Sequence, residues 1–234
     1  MSLQKYSSES MELEVQRTGL ISYGEALALQ SDLVKRRRNG DSPDQLLLLE
    51  HPHVITMGTG TRGDHVLADR VERKRLGIDL VEVGRGGAVT YHGPGQLIGY
   101  PILDLKPSRK DVYRYLRDLE QVIIDALSAL GVHGHRLKGQ TGVWVSGCKI
   151  AAVGVRVSSS WITSHGFALN ISTDLSYFKT IVPCGLQGVC VTSVSKEFGR
   201  HREVAEVIPM VINAFAALFE RRVVSGSRTT GAEI

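Results

Sequence analysis

The sequence predicts an α+β fold, a mixed central β-sheet flanked by helices, built as one domain over residues 11–224. Three observations carry that expectation. Short apolar or alternating runs joined by glycine turns cluster at residues 45–57, 78–105 and 142–172. Helical periodicity is confined to residues 22–39, 110–130 and 203–222. Strands therefore follow strands instead of alternating with helices, which argues against a doubly wound parallel sheet. The 234 residues are ample for a self-sufficient core.

"MELEVQRTGLI" alternates and reads as a first strand. In the helix that follows, Ser22 is placed to cap and Glu25 stands three residues on. Ala26, Leu27, Leu33 and Val34 form its apolar face. After the turn cluster "NGDSPD", the run "QLLLLEH" has the pattern of a buried strand, and "HVITMG" continues as another beyond Pro52. Residues 58–69 are rich in glycine and charge and are expected to form a mobile loop. "IDLVEVGRGGAVTYHGPGQLIGYPILDL" alternates strands with glycine turns. In the helix over 110–130, Val112, Leu116, Leu119, Ile123, Ala126, Leu127 and Leu130 make a buried stripe, and Gly131 is a natural stop. "GVWV", "KIAAVGVRVS" and "SHGFALNIS" read as three consecutive strands at the centre of the sheet. The final helix turns Val204, Val207, Ile208, Val211, Ile212, Phe215 and Phe219 inward, and Pro209 predicts a kink or break. Residues 1–10 and the tail 225–234 are polar and expected to be disordered.

Composition excludes several classes. No apolar run approaches the roughly 20 residues that span a bilayer, and the N-terminus lacks the apolar core of a secretory signal. Three cysteines, Cys148, Cys184 and Cys190, argue against a disulfide framework and for a reducing, cytoplasmic setting. The net charge is +4, with basic clusters "KRRR" at 35–38 and "RVERKR" at 70–75. Such clusters are usually solvated helix faces. With no nucleic-acid motif beside them, an acidic protein is the better partner.

Five features could carry chemistry. "GRGGAVTYHGPGQ", residues 84–96, holds five glycines and a proline in thirteen residues. Tight turns alone would explain that composition, but Arg85 and His92 would then stand among bare amides. The stretch matches neither phosphate-binding glycine motif. Lys149 opens an apolar strand and, by alternation, shares a face with Ala151, Val153 and Val155, whereas Cys148 points the other way. It could snorkel at a sheet edge, or burial could favour its neutral amine as a base. His165, before a glycine, suits a core hydrogen bond better than catalysis. The pairs His51/His53 and His133/His135 lack further ligands at metal spacing, so no metal site is expected. Cys184 stands between Pro183 and Gly185, where free backbone amides could stabilise a thiolate and an oxyanion. It is the best nucleophile candidate.

Together, "RGGAVTYHGPGQLIGYPILDL", "GCKIAAVGVRVSSSWITSHGFALNISTDLSYF" and "IVPCGLQGVCVTSVSKE" resemble the lipoyl(octanoyl) transferases of the biotin/lipoate protein ligase superfamily, in order and in spacing. The resemblance spans roughly residues 13–218. It implies that superfamily's catalytic-domain fold and a cytoplasmic, monomeric acyltransferase. The implied reaction moves an octanoyl group from octanoyl-acyl carrier protein to a lysine of lipoyl domains. Those domains belong to the 2-oxoacid dehydrogenases and the glycine cleavage H protein. It implies Cys184 as the thioester carrier and Lys149 as its activator, with no metal, ATP, other cofactor, nucleic acid or membrane involved. Acyl binding falls to Arg85, Gly86, Gly87, Ala88, Val89, Thr90, Tyr91 and His92; to Ala152, Val153 and Gly154; and to His165, Gly166, Phe167 and Ala168. An ATP-dependent lipoate or biotin ligase on the same fold is the alternative, and the cysteine of "IVPCG" speaks against it.

Overall fold

The structure, a computed structural model, describes residues 11–61, 65–182 and 189–225. Its strands are β1 (Met11–Leu20), β2 (Asp44–Glu50), β3 (Val54–Met57), β4 (Asp79–Glu82), β5 (Val89–His92), β6 (Gln96–Ile102), β7 (Val143–Val145), β8 (Cys148–Val157), β9 (Thr163–Asn170) and β10 (Arg221–Ser225). Its helices are α1 (Tyr23–Asn39), α2 (Arg70–Leu76), α3 (Val112–Ala129), α4 (Val194–Phe198) and α5 (Val204–Phe219), with a 3₁₀ turn at Leu175–Thr180.

Seven strands form one mixed sheet in the order β10-β1-β2-β6-β9-β8-β7, parallel from β10 to β2 and antiparallel beyond. A smaller sheet pairs β4, β3 and β5. The apolar run in β2 is explained by burial on both faces. Leu46 and Leu48 join a core with α3 and α5, while Leu47 and Leu49 join Ala26 and Leu33 of α1. The three strands β7, β8 and β9 do adjoin one another, but at one end of the sheet. The centre belongs to β6, whose partner β9 returns next to it.

Local chemistry accounts for most boundaries. Ser22 and Glu25 form a reciprocal capping box for α1, and Gly40 closes it in the left-handed region. In α3 the buried stripe is Tyr115, Leu119, Val122, Ile123, Ala126 and Leu127. Val112, Leu116 and Leu130 of the expected stripe are only half-buried, and the first two line a cavity instead. α5 runs through Pro209 without a break, because Pro209 is exposed and water can meet the carbonyl it leaves unpaired. That helix ends at Phe219, short of Arg222, when Glu220 enters the left-handed region, and the next five residues become β10. Residues 58–61 are tied down, with Gly58, Thr59 and Gly60 donating to the carbonyls of Ala88, Arg85 and Gly87. The expected disorder at 1–10 and 226–234 lies outside the described residues.

Asp44 fastens the outer strands. Its buried carboxylate receives Arg37 Nε at 2.7 Å, Arg221 Nε at 2.9 Å and the Asp104 amide at 3.1 Å. Removing one member of so buried a group strands the others. Asp44→Ala is expected to lower unfolding stability by about 3 kcal/mol, read from urea denaturation, whereas Arg222→Ala on the exposed side of β10 should cost about 0.5 kcal/mol or less.

Candidate active site

The cavity that the glycine-rich stretch helps to wall, of about 480 Å³, lies along β8. β7 ends opposite Ala151, so β8 continues past it, and residues 86–90 stand across the gap, with Gly86 N donating to Val155 O at 2.9 Å. The walls are small where strands face the void: Ala152, Gly154, Gly166 and Ala168. A Cβ on Gly154 would lie 3.0 Å from Gly86 O and 3.3 Å from Arg85 Cδ, so any larger residue there would press on the glycine-rich stretch. Val89, Val112, Leu116 and Phe167 add apolar surface, while Tyr23, Tyr100, His92 and His165 add polar edges.

A continuous relay holds the polar side. Arg85 Nη2 donates to Thr56 Oγ1 at 2.8 Å and to Thr56 O at 3.0 Å. The Thr56 hydroxyl faces His92 Nε2 at 3.5 Å, and His92 Nδ1 donates to Gln96 Oε1 at 2.7 Å. Gln96 Nε2 donates to Asn170 Oδ1 at 2.9 Å, and Asn170 Nδ2 to Thr192 O at 3.0 Å. Thr192 N in turn donates to Lys149 O at 3.0 Å. The relay therefore links the glycine-rich stretch to the strand that bears Lys149. His51 anchors the neighbouring ring cluster, Nδ1 donating to Ile21 O at 2.8 Å and Nε2 accepting from Tyr100 at 2.9 Å.

Burial holds these imidazoles neutral. His92 is pushed down to about 3 by desolvation, helped by His51 and Arg85, and His165 to about 4 by desolvation, Arg85 and Arg156. Desolvation likewise lowers His51 and raises Tyr23 to about 12. With the imidazoles neutral, the Arg85 guanidinium supplies fixed positive charge at the cavity edge.

Lys149 is buried and lines the cavity, its Nζ 5.5 Å from the centre of the Trp144 ring. Alternation along the sequence would set it beside Ala151, Val153 and Val155. Instead, Trp144 pairs with Lys149 and Val143 with Ala151, so Ile150 is the extra residue of a β-bulge. The bulge reverses the alternation and puts Lys149 on the face of Ala152 and Gly154. Gly142 then makes room for the side chain. A Cβ there would lie 2.6 Å from Lys149 Cε and 2.5 Å from Ala151 O, and φ is +122°. Glu120 fixes Gly142 by accepting its amide at 2.8 Å, while its other oxygen takes Arg117 at 2.7 Å and Arg136 at 3.0 Å.

Cys148 and Cys190 form a disulfide, which corrects the expectation that the cysteines stay unpaired. An odd count gives no hint of the pair. It arises because residue 149 bridges to Val191 in parallel, with Lys149 N donating to Cys190 O at 2.8 Å. Cys184 lies outside the described residues. The described chain resumes at Val189, which lines the cavity.

Similarity to known proteins follows the same geometry. Residues 22–216 match the model of the lipoyl protein ligase A/B catalytic domain. The chain belongs to that family. Within it, the chain is 50% identical over 214 residues to an octanoyltransferase of Rubrobacter xylanophilus, covering 88% of this chain and 96% of the relative. An octanoyltransferase of Solibacter usitatus is 48% identical over 218 residues, 93% of this chain and 98% of that one. A lipoate protein ligase of T. acidophilum with bound lipoic acid shares the fold at TM-score 0.75 and 17% identity, over 94% of this chain and 91% of that one. Octanoyltransferase relatives make an acyltransferase of the chain.

Of the residues that the family resemblance marked for acyl binding, Arg85 to Thr90, His92, Ala152 to Gly154 and His165 to Ala168 all line the cavity. Tyr91 does not line it: its side chain packs with Ile55, Ile78 and Ile181 and hydrogen-bonds His53 Nδ1 at 2.7 Å. His51 and His53 thus serve separate networks. Thr56, Gln96, Asn170, Tyr23, Tyr100, Gly142 and Glu120 were not marked. Gln96 closes the motif and was legible in principle, but the others reach the site through tertiary contacts, Tyr23 from α1, Glu120 from α3 and the rest from strands and the turn before β7.

Two outcomes are expected of this lipoyl protein ligase A/B domain. Gly142→Ala should displace the Lys149 stem and lower the turnover number about a hundredfold, the scale of an ångström-level misplacement. In steady-state assays the donor KM should change little. The buried histidines hold fewer protons folded than unfolded between their depressed values and 6.5, so stability falls as pH drops through that window. Each contributes a slope of about 1.4 kcal/mol per pH unit. Melting curves should show a weaker acid dependence for His165→Gln than for the parent.

Proposed function

We propose that this chain moves an octanoyl group from octanoyl-acyl carrier protein to a lysine of a lipoyl domain, through a thioester on Cys184. The observation that carries the reading is a mostly apolar cavity with small walls and one amine, Lys149, beside the segment that follows Cys184. In the first half-reaction the Cys184 sulfur attacks the donor thioester carbonyl and Lys149 takes the thiol proton. The tetrahedral intermediate then expels the carrier thiolate, which recovers that proton. One thioester replaces another, so no further activation is needed. In the second half-reaction the acceptor amine attacks the acyl-cysteine, Lys149 receives the amine proton, and Cys184 leaves as thiolate.

Acceptors of this chemistry are the lipoyl domains of 2-oxoacid dehydrogenases and of the glycine cleavage H protein. The protein acts as a monomer in the cytoplasm. Among the described residues no helix is long and apolar enough to cross a membrane. Arg85 and the neutral histidines orient the cavity edge, and the Ala152, Gly154, Gly166 and Ala168 faces receive the chain, at about 0.8 kcal/mol per buried methylene.

Transfer to a purified lipoyl domain tests the reading. Cys184→Ala is expected to abolish it, and full activity of that variant would refute the thioester route. Ala168→Leu should fill the slot and cut octanoyl transfer about tenfold or more, at about 0.8 kcal/mol for each methylene displaced. A four-carbon acyl donor should be spared. An equal loss with both chain lengths would place the acyl group elsewhere.

A further inference from the structure

Of the two basic clusters, only one lies beside the reactive segment. The α1 cluster, Lys35 to Arg38, is some fourteen residues along the helix from Tyr23, about 20 Å from the cavity. Within it Arg37 is bound to Asp44. The α2 cluster is different. Leu67 N and Ala68 N both donate to Thr180 O, at 2.8 and 3.1 Å, Val66 bridges to Ile181, and Val182 N donates to His65 O at 2.8 Å. The chain entering α2 is thereby stitched to residues 180–182, two residues before Cys184. Four extended residues reach at most about 14 Å, which bounds the distance from Thr180 to the cysteine.

α2 has no fully buried side chain, and its contact with the core of the small sheet is made by the half-buried Leu76 at its C-terminal end. It is held by its ends: Asp69 accepts the Glu72 amide at 2.8 Å, and Arg73 turns back to donate to Ala68 O at 2.6 Å. The remaining face presents Arg70, Lys74 and Arg75 to solvent around Val71, which is 78% exposed, with Leu67 58% exposed next to it. Arg70/Lys74 and Val71/Arg75 are each four apart, so they form one contiguous surface. Two exposed apolar side chains ringed by three cations are the complement of an acidic helix with an apolar ridge.

We propose that this α2 face docks the acyl donor, an acidic carrier protein, and so sets the rate at which Cys184 is loaded. The inference rests on the thioester reading above. The carrier presents its thioester on a long flexible arm, so its body can sit beside the mouth on α2 while the acyl group enters the cavity. The acceptor reaches the acyl-cysteine with only a lysine side chain and must cover the mouth itself. The cations raise the encounter rate, and Val71 and Leu67 supply the short-range contact.

The test is single-turnover acylation followed by intact mass, with octanoyl-acyl carrier protein or S-octanoyl pantetheine, which carries no charge, as donor. The triple variant Arg70→Glu/Lys74→Glu/Arg75→Glu should load about tenfold or more slowly from the carrier at low ionic strength and lose most of the salt dependence. Loading from the pantetheine thioester should stay within twofold. Lys35→Glu/Arg36→Glu/Arg38→Glu should load normally from both. All substituted residues are exposed, so both variants should fold, as checked by their melting temperatures. Normal loading of the α2 variant from the carrier overturns the proposal, as does an equal loss with both donors. A loss confined to transfer onto the lipoyl domain would assign the face to the acceptor and also overturn it. If the unaltered protein accepts acyl from neither donor, the thioester reading fails instead.

Discussion

The Gln96 side chain stands between two sheets, its oxygen taking the His92 proton at 2.7 Å and its nitrogen donating to Asn170 at 2.9 Å. That single amide couples β5 of the small sheet to β9 of the large one. With the Gly86 N to Val155 O bond, it ties Arg85 and Thr56 on one side to Thr192 and Lys149 on the other. Each member is buried, so each must keep its partner or suffer desolvation. The neutral state of His92 is part of the same arrangement. A protonated ring would have to donate from both nitrogens, while Thr56 already accepts from Arg85 and turns its own proton towards the imidazole.

Around that coupling, the position of Lys149 is set by steps that each relieve a steric or electrostatic demand. The bulge at Ile150 turns the amine to the face of Ala152 and Gly154, and Gly142 leaves the volume its stem occupies. Glu120, with two arginines and one amide as partners, keeps Gly142 in place from within α3. The Cys148–Cys190 disulfide joins the root of the lysine strand to the chain returning from Cys184. In a reducing compartment such a pair is ordinarily held as two thiols. Backbone bonds from Lys149 to Cys190 and from Thr192 to Lys149 hold the same two segments beside the disulfide.

The fold class and most elements were legible because their signals are local. Ser22 with Glu25, the unbroken leucines of β2 and the spacing of Leu119, Ile123 and Ala126 each depend on neighbours within a turn or a strand. Residues of the cavity were legible through motif resemblance, since glycines and small residues on β8 and β9 have no periodic signature of their own. What escaped was non-local. The bulge that reorients Lys149 depends on where β7 stops, and β10 depends on a partner more than two hundred residues away. Thr56 and Asn170 gain their roles only when the two sheets meet. Val112 and Leu116 fit the helical stripe, but the void beside them could not be seen from spacing.

The central claim is that Lys149, placed by the bulge and by Gly142, governs the ionisation of Cys184. The most direct measurement is the pH dependence of Cys184 alkylation by iodoacetamide, followed by peptide mass, in the parent and in Lys149→Met. The account predicts a midpoint below the ordinary thiol value in the parent and a return to about 8.5 in the variant. Superimposable profiles, with both proteins folded, would contradict it.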